Sequence, residues 1–209
     1  MEKILLVDDH TIIRTGLKIL MGSDLKNYSF DDAENGESAL EHVKKTEYAL
    51  LVLDVNIPGT DTFDLASELL ALQPDLKILV FSMNEENIYA KKFFKMGVKG
   101  YVRKDEPAEE IKKAFFTVLN NRKYISKSFS ECLAETMFDK KSDNPFERLS
   151  PRQFEITQYL MQGKSISDIC NKMNLHSSTV STQKNRIFEK LKVTSLVELY
   201  SMKKMHGEA

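Results

Sequence analysis

The chain has 209 residues, 42% hydrophobic and 29% charged, a balance that excludes a wholly disordered or fibrous protein and provides material for one large or two modest domains. No apolar stretch approaches the roughly 20 residues of a membrane helix, and the N-terminus, MEKILLVDDH, lacks the basic start and long apolar core of a secretory signal, so the expected location is cytoplasmic, away from membranes. The net charge of -1 conceals a division: residues 1–125 carry 17 Lys and Arg against 21 Asp and Glu, residues 126–146 carry 3 against 4, and residues 147–209 carry 10 against 6. Partners respond to local charge, and the tail is the basic part. Cys132 and Cys170 lie far apart with no CxxC spacing, which supports neither a disulfide framework nor a zinc site and reads as two small buried apolar residues.

In chain order, KILLV (3–7), YSFDDAE (28–34), ALLVLD (49–54), KILVFS (77–82) and GYVRK (100–104) predict five strands, the second the weakest. Between and after them, TIIRTGLKIL, GESALEHVKK, FDLASELLAL, ENIYAKKFFKMG and PAEEIKKAFFTVL space apolar residues by three and four, as helices covering a sheet must. Gly22 and Gly97 stand where a C-cap would, Pro74 at a stop and Pro107 in a first turn. The alternation predicts an α/β domain over 1–125, a (βα)5 unit with parallel strands buried on both faces. SKSFSECLAETMF has the pattern of one helix, and the polar KKSDNPFER, with Pro145 and no periodicity, reads as linker, so 126–147 is assigned to a linker carrying one helix. Over 148–209, SPRQFEITQYLMQG, SISDICNKMN, SSTVSTQKNRIFEKL and SLVELYSMKKM predict four short helices and no strand. The second and third have the arrangement of a helix-turn-helix.

Ligands of an open parallel sheet gather at the carboxyl ends of its strands. There the predicted elements put Asp8 and Asp9 after the first strand, Asp54 at the end of the third, Ser82 of the fourth and Lys104 of the fifth. Three converging carboxylates repel one another unless a hard divalent cation such as Mg2+ bridges them, and a lysine with a hydroxyl suits phosphoryl oxygens. The set predicts a carboxylate that accepts a phosphoryl group. Taken singly, Asp8, Asp9 and Ser82 are as well explained as helix caps and Lys104 as a surface residue; only jointly do they specify a site. His10, directly after the acid pair, is assigned no role.

VDDH, LDVNIP, FS and YVRKD, in this order, resemble the receiver domain of two-component response regulators, which implies a flavodoxin-like fold. The resemblance implies that a histidine kinase phosphorylates Asp54, that Asp9, Asp54 and the backbone carbonyl of Asn56 bind Mg2+ with Asp8 acting largely through water, and that Ser82 and Lys104 hold the phosphoryl group. Tyr101 falls at the family's switch position, where an aromatic ring turns inward as the hydroxyl at Ser82 moves toward phosphate. Outside that resemblance Tyr101 is a packing residue. The chain departs from many receivers at Thr62, where they have a glycine, which implies a different loop after Asp54 and a different phosphate lifetime.

In SSTVSTQKNRIFEKL, Val180, Ile187 and Leu191 share one helix face and Ser181, Thr182 and Asn185 the opposite one, flanked by Lys184 and Arg186. Small polar groups reading base edges and cations on phosphates would divide the work of a recognition helix in this way, although a solvated amphipathic helix has the same pattern. LSPRQFEI, GKSISDICNKM and TVSTQKNRIFEKLKV together resemble the LuxR-type (NarL/FixJ) DNA-binding domain. The resemblance implies double-stranded DNA as partner, the major groove for Ser181, Thr182 and Asn185, the DNA backbone for Lys184 and Arg186, and a dimer contact for the last helix. Gln153 replaces the usual glutamate and His176 the usual capping serine, so Ser177 is expected to take over the cap.

Three functions compete. A phosphorylation-controlled transcription regulator, a homodimer when phosphorylated, uses every feature above. A phosphatase or phosphotransferase would want a second carboxylate two residues after the nucleophile, where Asn56 stands, so no enzyme turnover beyond slow self-dephosphorylation is expected. A DNA-binding protein without phosphate control would make Asp54 dispensable.

Overall fold

A computed structural model of the chain describes residues 2–22, 24–83, 86–131, 145–173 and 175–206, and the chain divides into two units, Met1–Phe138 and Asp139–Ala209. In the first unit, β1 (Glu2–Val7), β2 (Tyr28–Ala33), β3 (Leu50–Leu53), β4 (Ile78–Ser82) and β5 (Gly100–Arg103) form a parallel sheet in the order β2-β1-β3-β4-β5. The helices α1 (Thr11–Gly22), α2 (Gly36–Lys45), α3 (Thr62–Leu72), α4 (Glu86–Met96) and α5 (Ala108–Leu119) alternate with the strands. Ile4, Leu6, Leu50, Val52, Leu79 and Val102 pack with Leu17, Met21, Ile111 and Phe115 on one side of the sheet. Their strand neighbours Leu5, Val7, Leu51, Leu53, Val80 and Tyr101 are also buried and by alternation face the other side. There the Phe93 ring lies 4.5 Å from Phe63 and 6.4 Å from Tyr101, centroid to centroid.

β2 departs from the expected two-sided burial: it is an edge strand with only Ala33 buried, and Asp31 and Asp32 pair with Lys3 and Lys18. Charged edge positions explain why its sequence pattern was the weakest. Gly97 is the C-cap its position predicted, with φ +107, and Val98 N donates to Phe93 O at 3.1 Å. Gly22 is not; it is the last helical residue of α1 and has no left-handed backbone. Pro74 follows the Gln73 C-cap of α3, while Pro107 is the N-cap of α5 rather than a residue of its first turn. Gly100 is required by packing, because a Cβ there would lie 2.8 Å from Val118 Cγ2 and 2.9 Å from Leu79 Cδ1.

The stretch read as a linker begins and ends inside folded structure. Tyr124 bridges Gly100 in parallel and its hydroxyl donates to Glu110 at 2.8 Å. Ser126 Oγ contacts the Glu86 carboxylate and accepts from Phe129 N at 3.1 Å, and the buried Phe129 ring stacks on Phe94 at 5.9 Å. Residues 127–131 are helical, the start of the predicted helix; its remainder, with Cys132, lies outside the described residues. Pro145–Arg148 forms a 3-10 turn whose Phe146 is buried in the core of the second unit.

That second unit comprises α6 (Pro151–Met161), α7 (Ile166–Met173), α8 (Ser177–Leu191) and α9 (Leu196–His206). Ser150 caps α6 through a reciprocal bond with Gln153, and Pro151 opens the helix where its missing N–H costs nothing. Leu149, Ile156, Leu160, Ile169, Met173, Val180, Ile187, Leu191 and Leu199 make the core, with Cys170 half-buried against it. Each such apolar side chain stabilises the unit by about 1.5–3 kcal/mol on burial.

Candidate functional site

The strand order reverses between β1 and β3, the crevice where an open α/β sheet offers a ligand site. Val7 and Leu53 pair across these strands, and Asp54 N donates to Val7 O at 2.8 Å, so Asp8 and Asp54 leave their strands side by side. On the other flank Ser82 pairs with Arg103, and Lys104 N donates to Ser82 O at 2.9 Å. Register therefore brings residues up to 96 positions apart to one edge. Lys104 Nζ lies 2.6 Å from Asp8 Oδ2 and 3.1 Å from Asp54 Oδ2, with both carboxylates buried and the lysine side chain only 9% exposed.

The three carboxylates play unlike parts. Asp8 is engaged at both oxygens, since Oδ1 accepts from His10 N at 2.8 Å and Oδ2 from Lys104. By contrast Asp9 Oδ1 and Asp54 Oδ1 are buried without a hydrogen bond. His10 Nδ1 approaches that Asp9 oxygen to 2.7 Å, yet without hydrogen-bond geometry. Burial pushes the Asp54 carboxyl above its ordinary range and Asp8 adds to this, while Lys104 and the backbone amide of Asn56 oppose it. Buried orphan oxygens are costly. They are the groups that a hard cation would satisfy, and one ligand atom from each of Asp8, Asp9, His10 and Asp54 lies within 4.8 Å of the others. The acidic cluster could hold a metal.

Ser82 and Tyr101 are both fully buried, and Tyr101 is hydrogen-bonded to Ser82. The ring thus already occupies an inward position, and burial pushes its phenol up. Thr62 is the first residue of α3 and buried; its Oγ1 donates to Val55 O at 3.2 Å, closing the loop onto the residue after Asp54. Gly59, with φ +73, makes the turn, and Asp61 caps α3 by accepting from Phe63 N.

Sequence reasoning missed two neighbours of this site. His10 received no role, but its ring belongs to the cluster; its place next to the acid pair was the only signal. Arg14 gave none, being one cation in an amphipathic helix, yet it is buried and Nη1 donates to Asp8 O.

In the second unit, Val180, Ile187 and Leu191 face inward as their spacing predicted, and Thr182, Asn185 and Arg186 are exposed. Ser181 is half-buried, as is Lys184, whose Nζ lies 5.4 Å over the Phe188 ring. Ser178 and Thr179, not singled out in the sequence, are exposed one turn before Thr182 and extend its stripe to the helix N-terminus. The cap expected of Ser177 is absent: His176 is the N-cap and its side chain makes no cap hydrogen bond, while Ser177 is already the first residue of α8. Gln153 is buried; its Oε1 accepts from Lys190 Nζ at 2.8 Å and its Nε2 donates to Gln183 at 3.1 Å, tying α6 to α8.

Comparison with known proteins matches residues 4–116 to the response regulator receiver domain and residues 147–203 to the bacterial regulatory proteins of the luxR family. The response regulator GacA of Pseudomonas aeruginosa is 32% identical over 208 residues, 99% of this chain and 97% of GacA. UvrY of Escherichia coli is 27% identical over 99% of this chain and 95% of its own length. Among solved structures, Salmonella typhimurium RcsB has the same fold with a TM-score of 0.61 at 22% identity over 98% of this chain and 100% of that one. An RcsB–DNA complex aligns with a TM-score of 0.57 at 22% identity, covering 97% and 98%.

Proposed function

Because this chain belongs to the two-component response regulators, a receiver domain followed by a luxR-family domain, we propose that a histidine kinase phosphorylates Asp54 and that the phosphate controls DNA binding by the second unit. Support comes from one juxtaposition: the buried Asp54 Oδ1, which makes no hydrogen bond, beside Lys104 and an Asp9 Oδ1 that also makes none and, among the described ion pairs, is approached only by His10. An Asp54 oxygen forms the P–O bond as the P–N bond of the kinase phosphohistidine breaks, and the imidazole keeps the electron pair. Mg2+ is the proposed cation, since the orphan donors are oxygens; Asp9, Asp54 and the Asn56 carbonyl would hold it, and bound there it neutralises charge on the phosphoryl oxygens. Asp8, saturated by His10 N and Lys104, is left to act through water. Ser82 and Lys104 hold the phosphoryl group, and Tyr101, already inward against Ser82, responds to its movement.

We assign the chain no enzymatic turnover beyond slow self-dephosphorylation, since the Asn56 amide is too weak an acid to serve as a general acid. No described helix is long and apolar enough to cross a membrane, and a cytoplasmic site of action is the matching proposal. In the second unit, Thr182 and Asn185 with the half-buried Ser181 read bases, and Arg186 and Lys184 bind phosphates. Val197 and Tyr200, exposed apolar residues of α9, support a homodimer through that helix when the receiver is phosphorylated. The test is exposure of the wild type and Asp54→Ala to a small phosphodonor with Mg2+, read by intact mass. The wild type is expected to gain one phosphate and the variant none; an adduct on the variant overturns the assignment of Asp54.

A further inference from the structure

We infer that Arg14 is a positioning residue for the cation site, holding the Asp8–Asp9 peptide so that Asp9 presents its carboxylate toward Asp54; this rests on Asp9 and Asp54 being the Mg2+ ligands. Arg14 is only 7% exposed, a condition arginine rarely meets unless paired. Its pairing is unusual. Nη1 donates to the Asp8 carbonyl oxygen and Nη2 to Thr11 Oγ1 at 3.2 Å. Nε stands 3.7 Å from Asp32 Oδ1, too far for a hydrogen bond, and makes none, while Lys18 takes the other Asp32 oxygen at 2.7 Å. Among the described contacts Arg14 makes no ion pair with Asp8, Asp9 or Asp54; Lys104 is the cation that pairs with pocket carboxylates.

Lys104 thus supplies charge, and Arg14 addresses the backbone. A peptide is planar, so a bond at the Asp8 carbonyl orients the whole unit through to the Asp9 Cα. Asp8 is fixed four ways: its N–H donates to Ala33 O at 3.1 Å, its Oδ1 accepts from His10 N, its Oδ2 from Lys104 and its carbonyl from Arg14. Asp9 Oδ1 makes no hydrogen bond and, among the described ion pairs, is approached only by the exposed His10 ring at 2.7 Å, so the peptide that carries Asp9 is the buried element that sets where it starts from. Groups that orient ligands without touching the metal change affinity by roughly 10- to 100-fold when removed.

Electrostatics alone predicts the opposite sign. Loss of a buried cation near three carboxylates should tighten Mg2+ binding; loss of a positioning bond should loosen it. The experiment is Mg2+ titration of the full-length chain by calorimetry for wild type, Arg14→Gln, Arg14→Lys and Asp9→Asn, with melting in EDTA alongside. Arg14→Gln is expected to weaken Mg2+ binding about 10-fold, Arg14→Lys, which keeps the charge and one donor, to fall between it and wild type, and phosphate uptake at saturating Mg2+ to recover. Unchanged or tighter binding in Arg14→Gln, even with a lowered melting point, overturns the inference and leaves a stabilising role only. Should Arg14→Gln not fold, Arg14→Lys decides in the same way. If Asp9→Asn binds Mg2+ as wild type does, the ligand assignment itself fails, an outcome separate from any result at Arg14.

Discussion

The receiver pocket and the recognition helix carry charge in opposite ways. In the pocket, Lys104 lies at ion-pair distance from the buried Asp8 and Asp54 and is itself largely covered, so each depends on the others. On α8, Arg186 and Asn185 are exposed and Lys184 only half-buried, so water screens each of them from its neighbours. A low dielectric makes the pocket a single unit, in which removal of one member leaves the others uncompensated. Exposure makes the helix a sum of small, salt-dependent contributions, suited to a surface that must meet DNA.

Lys104→Met should test that contrast most severely. It leaves two buried carboxylates without their cation and is expected to cost about 3 kcal/mol in urea unfolding, part of it restored by Mg2+. A loss no greater than that of an exposed ion pair would break the contrast. Next, Asn185→Ala is expected to relax preference at one base pair by about 1–3 kcal/mol without altering the fold, as measured by competition binding. Equal losses on every sequence would make Asn185 a phosphate contact instead. Arg186→Ala should lower the salt slope of DNA binding by about 0.9, whereas Lys184→Ala, withdrawn over Phe188, should weaken binding to every sequence with a smaller change in slope.

The smallest effect belongs to Glu86. Burial raises its carboxyl above the ordinary 4.5, with the Ser126 hydroxyl opposing. A raised folded-state pKa means that the protonated form contributes stability below the ordinary value and that this is lost as pH rises through the folded value. Glu86→Gln should therefore be more stable than wild type at neutral pH, by less than about 1 kcal/mol, with the gain closing toward pH 4.5. A gain that widens on acidification would reverse the sign of the argument.

The pocket was legible because its parts stand at the ends of strongly apolar strands, where strand assignment alone gives their direction. Asp54 after LLVL is the clearest instance. Arg14 and Phe146 were not legible, for the same reason in each case: one polar residue in an amphipathic helix and one apolar residue in a polar stretch carry no periodicity. Only packing shows that both are buried. Ser177 illustrates a different limit, since a cap depends on where the helix starts, and a shift of one residue turned the expected cap into the first helical position.

Local pattern by itself determined the alternating α/β unit, the helical tail, the inward face of α8 and the strand-end placement of Asp8, Asp9, Asp54, Ser82 and Lys104, because each follows from backbone periodicity. Tertiary structure decided which oxygens of the acidic cluster are already satisfied, that Tyr101 lies inward on Ser82, and that residues 124–129 pack against β5 and α4 within the first unit. These depend on distances between residues remote in sequence, and a hydrogen bond or a buried charge is set by distance and dielectric, neither of which a linear pattern contains.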